Sequence, residues 1–173
     1  MRKISLDNIN ALFDKIAQSS ALYLPQDKTG GAKFEKYESG AKLSNALNTV
    51  RSPKDFFFPQ TENLMDFKVD GKNIEVIDTR EECEKFVIFG VRACDVKSFD
   101  VLDRVFLAEP VDTYYQNRRS NAVIMSLACD KPVETCFCQT FGIDASAPEG
   151  DVACYMTDGF LYMSAKTKKG EEM

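Results

Sequence analysis

Histidine is absent from the 173 residues of this chain. Its absence excludes a Ser-His-Asp triad, a Cys-His protease dyad, an H-E-x-x-H zinc site and a Rieske centre within the chain. Any metal site in this sequence must therefore rest on sulfur or carboxylate ligands.

The sequence also lacks basic blocks and long apolar runs. The net charge is -5 and the pI about 4.9, so binding to nucleic acid through a phosphate footprint is not expected. The sequence has no run of 18 apolar residues, so no membrane-spanning helix is expected. Polar residues interrupt the first 20 residues, so no signal peptide is expected there. The predicted location is the cytoplasm, where structural disulfides are rare.

The composition is that of a globular protein, with 44% hydrophobic and 28% charged residues. We predict a single α/β domain over residues 1–173. Two apolar runs, "KFVIFGVRACD" (85–95) and "NAVIMSLACD" (121–130), are typical of strands buried on both faces. Helical periodicity over 95–107 joins them into a βαβ unit. The predicted fold is therefore α/β, with a mixed, partly parallel sheet and flanking helices.

The remaining patterns predict shorter elements. A helix is predicted over 5–18, strands over 21–25, 32–37 and 72–79, an irregular aromatic segment over 53–67, a short polar helix or loop near 112–120, and a hairpin after residue 151 that turns at Asp158 and Gly159.

Four of the six cysteines follow the two buried strands. Cys94 ends the first strand and Cys129 the second, and Cys136 and Cys138 lie in the loop directly after Cys129. Because the carboxyl ends of parallel strands meet at one edge of a sheet, where ligand sites gather, we expect these thiols to converge on one pocket.

Spacing alone leaves four interpretations of the cysteines open. Disulfides fit poorly, since a bridge between Cys136 and Cys138 would be strained. Structural zinc usually takes two C-x2-4-C pairs, which C-x6-C-x-C does not supply. An iron–sulfur cluster needs four soft thiolates at no fixed spacing. Buried inert cysteine suits Cys83 and Cys154, which each stand alone in a predicted element.

Basic residues near these thiols are suited to balancing an anionic cluster. Arg92 and Lys131 are close in sequence to Cys94 and Cys129, and Arg118 with Arg119 could reach the same edge of the sheet. The alternative is that Arg118 and Arg119 are ordinary surface residues.

Several sequence blocks together resemble a known family. The blocks are "FFFPQTE", "FVIFGVRACDVKSFDVLDRVFL", "DTYYQNRR" and "LACDKPVETCFCQTFG", and they occur in the same order as in the β-subunit of sulfhydrogenase and the A-type subunit of anaerobic sulfite reductase. The resemblance covers roughly residues 50 to 165. It implies an iron–sulfur electron carrier that works beside a flavin-binding γ- or B-type subunit.

The resemblance also implies which residues bind the cluster: Cys94, Cys129, Cys136 and Cys138. Cys83 and Cys154 match no motif of the family. Two departures stand out: the family commonly has proline where Ala93 stands here, and its C-terminal ferredoxin-like half, with two C-x2-C-x2-C-x3-C runs, has no counterpart in this sequence.

The sequence thus predicts an electron-transfer domain with one [4Fe–4S] cluster, part of a multisubunit cytoplasmic oxidoreductase and not its catalytic subunit. It would pass electrons between a flavin or nicotinamide subunit, on which any FAD would sit, and a catalytic partner that converts sulfite, sulfur or hydrogen. The alternative is a non-redox module in which the cysteines hold zinc and the domain only assembles a complex.

Overall fold

The computed structural model describes the backbone of all 173 residues and the side chains of all but Glu81 and Glu82. The strands are β1 (Arg2–Ser5), β2 (Ala21–Lys28), β3 (Gly31–Lys36), β4 (Met65–Asp70), β5 (Asn73–Asp78), β6 (Phe86–Val91), β7 (Ala122–Leu127), β8 (Val152–Thr157) and β9 (Phe160–Ala165). The helices are α1 (Ile9–Ala17), α2 (Ala93–Phe106), α3 (Thr113–Asn121) and α4 (Lys168–Glu171). Short 3-10 segments cover Leu6–Asn8, Pro53–Phe56, Thr79–Glu82 and Cys138–Phe141.

Seven strands form the main sheet, in the order β1-β9-β8-β7-β6-β2-β3, and β4 and β5 form a separate two-stranded sheet. The four central strands β8, β7, β6 and β2 are parallel, and the outer strands pair antiparallel. The predicted α/β class and mixed sheet are confirmed. Strands β6 and β7 are parallel neighbours linked through α2 and α3, which confirms the βαβ unit.

Helices cover both faces of the sheet. Alternate residues of β6 point to opposite sides, so Phe89 packs in one core with Phe13 of α1, and Ile88 packs in the other with Phe99 of α2 and Tyr115 of α3. All five side chains are fully buried. Among the described residues, none of the helices combines the length and apolar character needed to cross a bilayer.

The junction between β6 and α2 depends on Gly90. The pairing of β6 with β7 shifts register between Phe89 and Val91, and Gly90 has a φ of +88°. A Cβ at this position would lie 3.1 Å from the ring of Pro25. Glycine therefore meets two requirements at this position: the positive φ of the bulge and the close approach of β2. The chain is extended again at Arg92, and α2 begins at Ala93.

Most of the shorter predicted elements are present, with two additions. Residues 2–5 form strand β1, which the sequence pattern did not indicate, because its order comes from pairing with β9. The segment 53–67 is irregular as predicted only up to residue 64, after which β4 pairs with β5. Asp158 and Gly159 both have positive φ, as a two-residue I′ turn requires, and so join β8 to β9 as predicted.

Candidate metal centre

Cys94, Cys129, Cys136 and Cys138 line one open cavity of about 820 Å³. The cavity lies at the carboxyl end of β6 and β7, because Cys94 follows β6 by three residues and Cys129 follows β7 by two. The structure thus brings together all four thiols that the sequence singled out.

Cys94 lies in the first turn of α2. Arg92 is the N-cap residue in an extended conformation, so Cys94 is the second residue of the helix. The unpaired N–H groups and the dipole of a helix N-terminus stabilise negative charge close to this position. Asp95, the next residue, accepts a hydrogen bond from the Ser52 hydroxyl at 2.7 Å, which ties the start of α2 to the segment 52–58.

Cys129 is held by backbone hydrogen bonds on both sides. The amide of Cys129 donates to the carbonyl of Ala145 at 2.9 Å, and the amide of Ala128 donates to the carbonyl of Cys154 in β8 at 2.9 Å. The connection from β7 to β8 therefore leaves the sheet at Cys129 and returns beside it, forming a loop that closes one side of the cavity.

Cys136 and Cys138 lie in this loop, where local turns orient them. The amide of Cys136 donates to the carbonyl of Val133 at 2.9 Å, and the amide of Val133 in turn donates to the Cys136 sulfur at 3.4 Å. Cys138 begins the 3-10 segment Cys138–Phe141, which is capped by Gly142, a residue with a φ of +64°. The N–H···S hydrogen bond from Val133 to Cys136 is of a kind that stabilises a thiolate or a metal-bound sulfur.

The thiols affect one another electrostatically. The pKa of Cys94 is raised to about 11, mainly by burial, although the residue as a whole is exposed, and the charges of Asp95, Cys138 and Cys129 contribute to the rise. Burial also raises the pKa of Cys129, while the Arg92 cation opposes that rise. Cys94 and Cys129 are therefore protonated at neutral pH, and a metal that binds them must displace their protons.

Arg92 connects the three chain segments around the cavity. Its guanidinium donates to the carbonyls of Leu47 at 3.0 Å, Ala46 at 3.4 Å and Ala128 at 3.0 Å. These bonds leave its positive charge beside Cys129. The contribution of Leu47 and Asn48 to the cavity was not predicted, because this segment has no regular structure and no distinctive residue types.

Lys131 also lines the cavity, as the sequence analysis expected, but Arg118 and Arg119 do not. Arg118 forms an ion pair with Glu62, and Arg119 forms one with Asp103 at 3.1 Å. The expectation that these arginines reach the cysteine edge of the sheet is wrong, because α3 directs them towards α2 and towards residue 62. The alternative, that Arg118 and Arg119 are ordinary surface residues, is not correct either, because both side chains are three-quarters buried.

The two remaining cysteines lie outside the cavity. Cys154 is fully buried in β8, and its burial raises the pKa of its thiol to about 12. Cys83 is half-buried and follows the 3-10 segment Thr79–Glu82, beside a separate cavity of about 200 Å³. The interpretation of Cys83 as a buried cysteine is therefore wrong, whereas Cys154 is a core residue as expected.

The donor set and the space suit a cluster. Four thiolates are the ligands that iron–sulfur clusters take, and a cubane needs its sulfurs spread around a space that the cluster itself fills. Among the described side chains, no three His, Cys, Asp or Glu residues converge closely enough to hold a single metal ion. The cysteines are instead distributed around the cavity.

Ala93 stands where the family that the sequence resembles commonly has proline, and this difference leads to a stability prediction. Ala93 is the first residue of α2, where the fixed φ of proline suits a helix and its missing N–H costs nothing. Arg92 already has the extended conformation that precedes proline, with φ −81° and ψ 156°. Ala93→Pro should therefore raise the free energy of unfolding by about 0.4–1 kcal/mol, measured by urea denaturation. A loss of more than about 1 kcal/mol would show that the buried site has no room for the ring.

Comparison with known proteins identifies a relative of this chain. Sulfhydrogenase 2 subunit beta of Pyrococcus furiosus is 30% identical over 171 residues, which make up 98% of this chain and 49% of the relative. The chain thus spans about half the length of the curated relative it matches. No protein-family profile and no solved structure matches it. The matched region extends over almost the whole chain and takes in its cysteine blocks, so the chain is similar in sequence to about half of a sulfhydrogenase beta subunit.

Proposed function

We propose that this chain is an iron–sulfur electron-transfer domain whose single [4Fe–4S] cluster is bound by Cys94, Cys129, Cys136 and Cys138. The observation that carries the proposal is the arrangement of these four thiols around one open cavity at the carboxyl edge of the central parallel strands. When bound, such a cluster takes up and releases one electron at a time.

The residues around the cavity are suited to holding an anionic centre. Arg92 places a positive charge beside Cys129, Cys94 lies at the N-terminus of α2, and the Val133 amide donates to the Cys136 sulfur. Each interaction favours added negative charge at the thiolates, and so raises the reduction potential of a cluster held there. The chain offers no histidine that could act as acid or base beside the cavity.

The position of the cavity suits exchange of electrons with another protein. Its opening lies in the loop after β7, and the aromatic ring of Phe137 on its rim is 62% exposed. A centre held there lies close to the surface, where a partner's cofactor can approach it.

The partners in this proposal follow from the relative, which is by name one subunit of a sulfhydrogenase. We infer that the chain works in a multisubunit oxidoreductase, between a catalytic subunit that converts sulfite, sulfur or hydrogen and a flavin-binding γ- or B-type subunit. In this arrangement the chain itself transforms no substrate.

Anaerobic reconstitution with ferrous iron and sulfide tests the proposal. We expect a brown protein with about four iron and four acid-labile sulfide atoms per chain, and a broad visible absorbance that bleaches on reduction. A protein that stays colourless, retains no sulfide and, when incubated with zinc in place of iron, binds about one zinc ion would instead support the zinc-binding assembly module. Failure to bind either metal at a stoichiometric level would refute both functions.

A further inference from the structure

The hairpin of β4 and β5, called here the arm, stands apart from the main sheet. Its two strands pair only with each other, from Met65↔Asp78 to Asp70↔Asn73. Every residue from 63 to 76 is exposed. A two-stranded hairpin with no covering layer is marginal in water, so its composition indicates whether something packs against it.

One face of the arm is apolar along its whole length. In the antiparallel register, Phe67 stands opposite Val76 and Val69 opposite Ile74, with Met65 beside them on the same face. These five side chains are between 47% and 69% exposed. Together they leave on the order of 500 Å² of apolar surface in contact with water, as large as the largest patch on a typical monomer.

The charges of the arm lie on its other face. Asp66, Lys68, Asp70 and Glu75 occupy the alternate positions, and Lys68 stands opposite Glu75. Asp78 is the one charged residue on the apolar side, at the base of the arm, where Arg80 forms an ion pair with it. Covering the apolar face therefore buries no unpaired charge within the arm.

Hydrogen bonds at the base fix the direction in which the arm projects. The hydroxyl of Tyr114 in α3 donates to the carbonyl of Leu64 at 2.5 Å, and Thr79 donates to the carbonyl of Asn63 at 2.7 Å. Arg80 donates to the Thr113 hydroxyl at 2.7 Å. The arm is thus anchored to α3, and the side chains of its apolar face belong to neither of the two cores of the domain.

We propose that the apolar face of the arm is a dimer interface that pairs with the same face of a second copy of this chain. A flat face of large side chains beside β-branched ones is complementary to itself, and a two-fold axis lets each copy contribute the same residues. Stacking two arms removes on the order of 1,000 Å² of surface from water, the lower limit for a specific interface. The charged faces of the two arms then lie on opposite outer sides.

Sedimentation equilibrium under reducing conditions tests the proposal, over roughly a hundredfold range of protein concentration up to about 0.5 mM. The average mass should rise with concentration from 19.5 kDa towards twice that value. Because each copy carries a net charge of -5, added salt should tighten the dimer by screening the repulsion. A dimer that dissociates on adding salt would contradict an apolar interface.

A matched pair of variants locates the interface. The double substitution Val69→Thr with Ile74→Thr keeps β-branched residues in both strands, so the arm still forms, and should weaken dimerisation about tenfold or more. Its control, Lys68→Thr with Glu75→Thr, changes the opposite face at the neighbouring position without altering the net charge, and should leave the dissociation constant within about twofold. Circular dichroism verifies the fold of both.

Two further results would overturn the proposal. One is a monomer at every concentration, which would leave the face to a different partner, and the other is a dimer that both double variants weaken equally. Neither result depends on the cysteines, so the outcome is independent of whether a cluster is bound.

Discussion

Replacing Cys136 by serine is expected to abolish cluster incorporation or reduce it to a small fraction of that in the unchanged chain. A hard hydroxyl then stands where a soft thiolate is needed, which leaves three good ligands around the cavity. Cys94→Ser should have the same effect, because Cys94 lines the same cavity from a different segment, at the start of α2. The measurement is the broad visible absorbance, with iron and sulfide analysis, after anaerobic reconstitution.

The two cysteines outside the cavity serve as controls. Cys83→Ser and Cys154→Ser should leave the absorbance intact, although Cys154→Ser places a hydroxyl in the fully buried part of β8 and should cost about 1–3 kcal/mol of stability. Equal iron binding by all four variants would show that the ligand assignment is wrong. Loss of the cluster on replacing Cys83 alone would show that a different set of thiols binds it.

Phe99→Ala is expected to lower the free energy of unfolding by about 3–5 kcal/mol. Phe99 is fully buried in α2, and its ring meets the ring of Phe57 edge to face, with 4.8 Å between centroids. The Arg119 guanidinium lies 5.8 Å from the centroid of the same ring. Truncation leaves a cavity at the contact that holds α2 on the sheet, and the melting temperature should fall by about 6–20 °C.

The matched control for this variant is Val101→Ala on the same helix. Val101 is 57% exposed, so its truncation should change stability by less than about 0.5 kcal/mol. Because α2 also carries Cys94, Phe99→Ala should weaken cluster retention on warming more than Val101→Ala does. Equal stability of the two variants would show that α2 is not held by its buried face.

The sequence by itself was sufficient for the central fold. Two apolar runs joined by a segment of helical periodicity are typical of parallel strands that are buried between helix layers. Strands β6 and β7 and helix α2 have this arrangement. The same pattern placed Cys94 and Cys129 at one edge, because each follows directly after its strand. The Asp158–Gly159 turn was equally predictable from the sequence, since few residue pairs accept two positive φ angles.

Tertiary structure decided what local pattern could not express. Strand β1 is ordered by pairing with β9, and Arg92 is placed by carbonyls of Ala46 and Leu47, more than 40 positions earlier in the chain. Arg118 and Arg119 have the same charge as Arg92, but the direction of α3 pairs them with Glu62 and Asp103. Sequence supplies the charge of a side chain, whereas the packing of distant segments determines which group it meets.

The arm also shows this division between what the sequence determines and what tertiary structure decides. Its alternation of apolar and polar residues is present in the sequence, and residues 72–79 were predicted to form a strand on that basis. Only the folded chain reveals that Phe67, Val69, Ile74 and Val76 face water, because exposure depends on where the main sheet ends and not on local spacing. Hydrophobic periodicity determines that a face is apolar, and tertiary structure determines whether the chain itself covers it.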